Sequence, residues 1–186
     1  FCLSRGLGDV YKRQVLREGD AYWSSGDLLR EDAEGYCWFV DRIGDTFRWK
    51  SENVSTQEVA DALGDLAGLE LINIYGVQVP GHEGRAGMAA VLMQPGRTFE
   101  PAALYELSEA RLPRYAAPLF VRVSTAADLT STFKLRKVDL QRQGYSPEAC
   151  ADPLFIRDER ARTYQPYSVE LLQRLELPAF AVADHG

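Results

Sequence analysis

The chain has 186 residues, 46% of them hydrophobic and 26% charged, which is enough apolar material for a buried core and too much for wholesale disorder. Its formal net charge of −6 argues against a footprint for nucleic-acid phosphates. The three cysteines, Cys2, Cys37 and Cys150, are odd in number and widely spaced, which does not read as a disulfide framework, they form no C-x-x-C metal pair, and no apolar run approaches the roughly 20 residues that cross a bilayer.

Residues 1–14 carry no hydrophobic period, no helix cap and no apolar core of a secretory signal. They read as foreign to the rest of the sequence, and the chain, opening on Phe, reads as part of a longer protein. A hairpin-like pair comes next. Residues 28–30 lie between Gly26-Asp27 and the polar run that ends at Gly35, and residues 36–40 are aromatic and β-prone. Cys37 in that second strand reads as core rather than as a nucleophile. A second aromatic stretch, 46–50, ends in the polar turn Ser51-Glu52-Asn53. Ser55 and Glu58 then stand at capping-box spacing, and Val59, Leu63 and Leu66 recur on one helical face, predicting a helix over 56–66 closed near Gly64 or Gly68. Strands are predicted at 71–79, 88–93 and 118–124. Pro101 opens a helix with Leu104 and Leu107 on one face and a stop at Pro113, and a short basic helix or turn covers 135–143 up to Gly144. From Tyr145 the text reads as a loop-rich tail with one amphipathic stretch at 168–175. The implied fold class is α+β, a small sheet covered by helices.

Three places carry residue types suited to chemistry. In Ser25-Gly26-Asp27 a carboxylate after a glycine suits the two hydroxyls of a ribose, and it equally suits an ordinary turn. In the segment from Asp41 to Asp45, Arg42 offers a fork for a sugar hydroxyl or a carboxylate. Gly44 offers the freedom that a hinge needs; a salt-bridged turn would use the same residues. Lys134, in Thr132-Phe133-Lys134-Leu135-Arg136-Lys137, is a compact charge suited to a phosphate or a developing anion, or simply a solvated basic turn. His82, in Pro80-Gly81-His82-Glu83-Gly84, has no partner at metal-ligand spacing and reads as a loop residue. No nucleophile elbow, Walker A lysine or dinucleotide fingerprint is present.

Taken in order, these pieces resemble one family. The strings Y-W-S-S-G-D-L-L-R-E-D from Tyr22 and F-V-D-R-I-G-D-T-F-R-W-K-S-E-N-V-S-T-Q-E-V from Phe39 are similar to the C-terminal part of adenylate-forming acyl-CoA synthetases. More narrowly, they resemble the fatty acid transport protein or very-long-chain acyl-CoA synthetase branch. Y-G-V-Q-V-P-G-H-E-G-R-A-G-M-A-A from Tyr75, L-P-R-Y-A-A-P-L-F-V-R from Leu112 and T-S-T-F-K-L-R-K-V-D-L from Thr130 continue the match, which runs from about Leu16 to about Leu175.

The resemblance implies a two-step reaction. ATP and a fatty acid give an acyl-adenylate and pyrophosphate, and coenzyme A then displaces AMP. Residues 15–41 would close a large AMP-binding domain, which carries the phosphate loop, the acyl pocket and the Mg²⁺ site upstream of this chain. Residues 42–144 would form the mobile C-terminal domain, and 145–186 a tail with one short helix. By resemblance, Asp27, with Ser25 beside it and Arg42 assisting, holds the ribose of ATP and AMP. Gly44 falls at the hinge, and Lys134 enters the site during adenylation. Lys50, Ser51 and Glu52 fall on the passage for the pantetheine arm of coenzyme A. The branch places a glycine where this chain has Ser51, so a serine narrows a route built for bare backbone. The expected setting is cytoplasmic, with peripheral membrane association of the full-length protein left open, and no nucleic-acid partner and no metal site on this chain are expected. Alone, the chain would have little activity. The rival readings are a relative that loads a carrier-protein thiol and a stand-alone interaction module.

Overall fold

The computed structural model describes residues 27–31, 34–42, 46–124 and 137–180. They fall into two compact units, divided between Thr46 and Phe47.

The first unit contains the expected hairpin. Strand β1 (Asp27–Glu31) pairs antiparallel with β2 (Cys37–Arg42), with Asp27 opposite Arg42 and a register shift between Leu28 and Leu29. Tyr36 and Trp38 are exposed, and their rings meet edge to face with centroids 6.1 Å apart. Cys37 is exposed as well, which corrects its reading as core. A two-stranded hairpin by itself has too few neighbours to bury residues on both faces.

Strands β3 (Thr46–Trp49), which enters the second unit at Phe47, and β4 (Glu52–Ser55) form a two-stranded hairpin. The turn is shorter than the sequence implied: only Lys50 and Ser51 connect the strands, and Glu52 and Asn53 already belong to β4. Phe47, Trp49 and Val54 are buried. Helix α1 (Thr56–Leu63) comes directly after, with Ser55 as its N-cap accepting from the Glu58 amide at 3.3 Å. The helix stops at Leu63 rather than Leu66 because Gly64 caps it; Leu66 is still buried, in the turn beyond.

The main sheet has five strands in the order β5-β6-β7-β8-β9. β5 (Leu69–Gln78) and β6 (Arg85–Met93) form a long antiparallel pair, each starting earlier than the sequence suggested. Strand β7 (Phe120–Val123) lies parallel to β6, reached by a crossover through α2 (Pro101–Arg111), as a parallel neighbour requires. Pro101 supplies the fixed φ of a first helical turn, and Leu104, Tyr105 and Ser108 form the buried face of α2; Leu107 is half-buried at its margin.

After α3 (Lys137–Gln143) the segment expected as a loop-rich tail contributes two more strands, β8 (Leu154–Asp158) and β9 (Thr163–Pro166), before α4 (Val169–Arg174). Both strands pair antiparallel with their neighbours. They were hidden in the sequence because β8 buries charge. Asp158 has no exposed surface. Its carboxylate accepts from the amides of Arg160 and Ala161, from Gln165 at 2.9 Å and from Arg174 at 2.7 Å. Arg157, also buried, donates to Ser108 Oγ at 2.6 Å and to Glu159 at 2.9 Å, pairs with Glu109, and lies 4.2 Å over the Tyr105 ring. Partnered charges are inexpensive to bury, but they erase the alternation by which a strand is recognised.

Helices α1 and α3 pack on β5, α2 packs on β9, and α1 touches α2. The core includes Leu63, Ile74, Met88, Leu104, Phe120 and Ile156, and Tyr145 stacks flat on Phe120 with centroids 3.9 Å apart. Among the described residues, no helix is long and apolar enough to cross a membrane.

Candidate functional site

The β3–β4 turn is where the most specific stretch of sequence takes an unusual shape. Lys50 has φ +50° and Ser51 φ +68°. Positive φ at both central residues is the hallmark of a type I′ turn, whose twist matches that of the flanking strands. Such turns favour Asn and Gly, and a left-handed backbone costs other L-residues roughly 1–2 kcal/mol each. The turn is held from the strand side. The Phe47 side chain lies against Gly76 and Gly87 of the main sheet, and Trp49 is buried.

Beside the turn runs the loop that joins β5 to β6. Trp49 makes an isolated antiparallel bridge with Gly84, and its ring lies 5.7 Å from that of His82, tilted by 34°. Together they bound an open cleft of about 280 Å³, with Arg48 through Ser51 on one side and His82 through Glu83 and Gly84 on the other. The residues that line it are the aromatic Trp49 and His82, the basic Arg48 and Lys50, the acidic Glu83, Ser51 and Gly84. That mixture suits an elongated ligand with polar and anionic parts.

Of the residues singled out from the sequence, the structure brings Lys50 and Ser51 together on this cleft. Glu52 is the first, exposed residue of β4 and does not line it. Asp27 and Arg42 stand directly opposite each other across the β1–β2 pair. Ser25, Gly44 and Lys134 lie outside the described residues. His82 is an exposed loop residue, as expected, but sequence reasoning missed its place beside Trp49 and the part of Gly84 in the same wall. The run Pro80-Gly81-His82-Glu83-Gly84 announced a loop; nothing in it announced which strand the loop would meet. Among the described residues, no group of three or more His, Cys, Asp or Glu side chains is gathered to hold a metal ion.

Comparison with known proteins adds a second line. The chain is 49% identical over 173 residues to long-chain fatty acid transport protein 5 of Homo sapiens, covering 91% of this chain and 25% of that protein. It is 45% identical over 159 residues to long-chain fatty acid transport protein 2 of Rattus norvegicus, covering 86% of this chain and 26% of that one. The chain thus spans about a quarter of the length of the curated relatives it matches. Among solved structures, a fatty acyl CoA synthetase of Mycobacterium tuberculosis superposes with a TM-score of 0.53 at 26% identity, over 67% of this chain and 24% of that one. ATP-bound MatB of Rhodopseudomonas palustris superposes with a TM-score of 0.59 at 21% identity, over 67% of this chain and 24% of that one, and so bears on the fold alone. No family model matches the chain.

Proposed function

We propose that this chain, a C-terminal part of a member of the long-chain fatty acid transport protein branch of the adenylate-forming acyl-CoA synthetases, serves as the mobile domain of a fatty acid–CoA ligase. The ligase converts a fatty acid, ATP and coenzyme A to acyl-CoA, AMP and pyrophosphate in two half-reactions. In this reading residues 15–41 close the large AMP-binding domain, and Arg42 onward alternates between two faces of it about Gly44. The compact unit that begins at Phe47 supports a separately moving body. Because β8 and β9 complete its sheet, the body extends past residue 144.

The observation that carries the reading is the Lys50–Ser51 turn. In a chain 49% identical to a fatty acid transport protein, the string that resembles the family most specifically folds into a left-handed turn on the wall of a cleft. We assign the cleft to the thioester half-reaction, as one wall of the passage for the pantetheine arm, with Glu52 just beyond it. Asp27 and Arg42, with Ser25 two positions before Asp27 in the sequence, are assigned to the ribose of ATP and AMP. Their facing positions across the hairpin support a shared ligand. Lys134 is assigned to adenylation, where an ammonium group would offset charge developing between the attacking carboxylate and the α-phosphate. Mg²⁺, which would accompany the phosphates of ATP, we assign to the large AMP-binding domain. Transfer to a carrier-protein thiol could use the same turn; the likeness to a fatty acyl CoA synthetase favours coenzyme A. The odd number and wide spacing of the three cysteines favour a reducing, cytoplasmic setting, and any peripheral contact with a membrane is proposed for the full-length protein.

The test is a split of the two half-reactions in the full-length protein. Lys134→Ala is expected to slow acyl-adenylate formation roughly 100- to 1,000-fold or more, the cost of losing a central electrostatic stabiliser. Thioester formation from preformed acyl-adenylate should survive. Equal loss in both steps, or no acyl-CoA formation by the parent protein, would contradict the reading.

A further inference from the structure

We infer that the loop between β5 and β6, through Gly84 and His82, positions the Lys50–Ser51 turn for the thioester half-reaction; the inference rests on reading that turn as part of the coenzyme A passage.

A turn with two left-handed non-glycine residues keeps its shape only where its surroundings over-determine it. Strand β3 pairs with β4 and makes a further backbone link through the bridge from Trp49 to Gly84. That bridge depends on the absence of a side chain. A Cβ on Gly84 would stand 2.2 Å from the Arg48 carbonyl oxygen, and Gly84 itself has φ +86°. The clash excludes any side chain without a backbone shift, forcing β3 away from the loop two residues before Lys50, and the positive φ adds strain. The second contact is aromatic. The His82 ring faces Trp49, and His82 is fixed by its amide, bonded to the Val79 carbonyl at 3.0 Å, and by Nδ1, 3.3 Å from the Pro80 carbonyl. The loop therefore grips the residue that precedes the turn by backbone and by ring, and supplies the opposite wall of the cleft. Gly84 and His82 are positioning residues: they act through Trp49 on Lys50 and Ser51.

The experiment measures both half-reactions by single-turnover kinetics in the full-length protein. Gly84→Ala should slow thioester formation roughly 10- to 100-fold, as expected for a reacting group misplaced by about 1 Å. Adenylation should stay at the parent rate. Gly81 has the same left-handed backbone, φ +76°, with nothing within 4 Å of an added Cβ, so Gly81→Ala carries the strain without the clash and should change neither step. His82→Ala should slow thioester formation, and His82→Phe, which keeps a ring beside Trp49, should restore it. Equal loss in both steps for Gly84→Ala, or the same effect from Gly81→Ala, overturns the inference. Should Gly84→Ala fail to fold, the His82 pair decides, and a His82→Ala protein indistinguishable from the parent overturns it. Ser51→His, which puts bulk into the cleft on a residue that tolerates left-handed backbone, tests the underlying reading. If it slows thioester formation while Gly84→Ala does not, the inference fails and the reading stands; if neither does, both fall.

Discussion

Ser51 combines a left-handed backbone with a place on the wall of the cleft. Glycine would relieve the backbone and remove the side chain. The backbone relief of roughly 1–2 kcal/mol is partly offset by the greater freedom of glycine in the unfolded chain, about 0.5–1 kcal/mol, so Ser51→Gly should raise stability by no more than about 1.5 kcal/mol. If the hydroxymethyl group narrows the passage, the larger effect is kinetic. Thioester formation in the full-length protein should quicken roughly fivefold or more, with adenylation unchanged. Thermal unfolding and single-turnover kinetics read the two effects separately, and a gain confined to adenylation would put Ser51 on the wrong face. Here the sequence flagged the residue and the structure supplied the reason. The resemblance marked a serine where a glycine is expected, but no local pattern could give the sign of φ at Lys-Ser, a pair that is unremarkable in most turns. The exposed Cys37 shows the reverse: its apolar neighbours implied burial, and burial depends on what packs against a strand.

Among the elements, α1 was the most legible, because its signals are local. A serine cap, a glutamate three residues on and apolar residues at helical spacing all act within one or two turns. Val59 and Leu63 are buried, and α1 packs on β5 and α2, so the cap anchors a helix the core uses. Ser55→Ala should lower stability by about 1 kcal/mol and Ser55→Gly by only a few tenths, measured as shifts in the urea midpoint. An equal loss for both would place the contribution of Ser55 elsewhere than in the cap. By contrast β4, β8 and β9 were not legible. Strand β4 is four residues with two exposed polar positions at its start, and β8 carries Arg157 and Asp158 inward. Their strand character comes from the partners they meet across the sheet, not from their own pattern.

Across the whole second unit, charge does some of the work that apolar contact does elsewhere. Arg157 of β8 reaches Ser108 and Glu109 of α2, and Glu159 accepts from both Arg157 and Tyr105, the latter at 2.8 Å. Burial pushes the Glu159 carboxyl up, but the hydrogen bonds from Arg157 and Tyr105 and the charge of Arg157 more than offset it. Its pKa therefore lies below the ordinary 4.5. A carboxyl depressed in the folded state adds stability that is fully present above its unfolded value and is lost as pH falls through the folded one. The chain should thus lose resistance to urea as the pH drops below about 4.5, and Glu159→Gln should flatten that loss while leaving the acid-side behaviour of other carboxylates in place. An unchanged acid profile in the variant would remove Glu159 from the linkage.

The sequence alone determined what depends on neighbours along the chain: the Ser55 cap of α1, the β5 and β6 runs, the Pro101 helix start, the α+β class and the resemblance to the acyl-CoA synthetases. The tertiary structure alone decided what depends on residues far apart in sequence. Trp49 meets Gly84 across 35 positions and Arg157 meets Ser108 across 49. The last two strands exist because buried charges find partners there, and the cleft exists because a loop with no helical or strand period comes to rest on a strained turn. Short-range patterning records propensity, which acts over a few residues. A close approach permitted by a missing Cβ, or a charge neutralised from another element, leaves no periodic trace, so these were decided only when the chain folded.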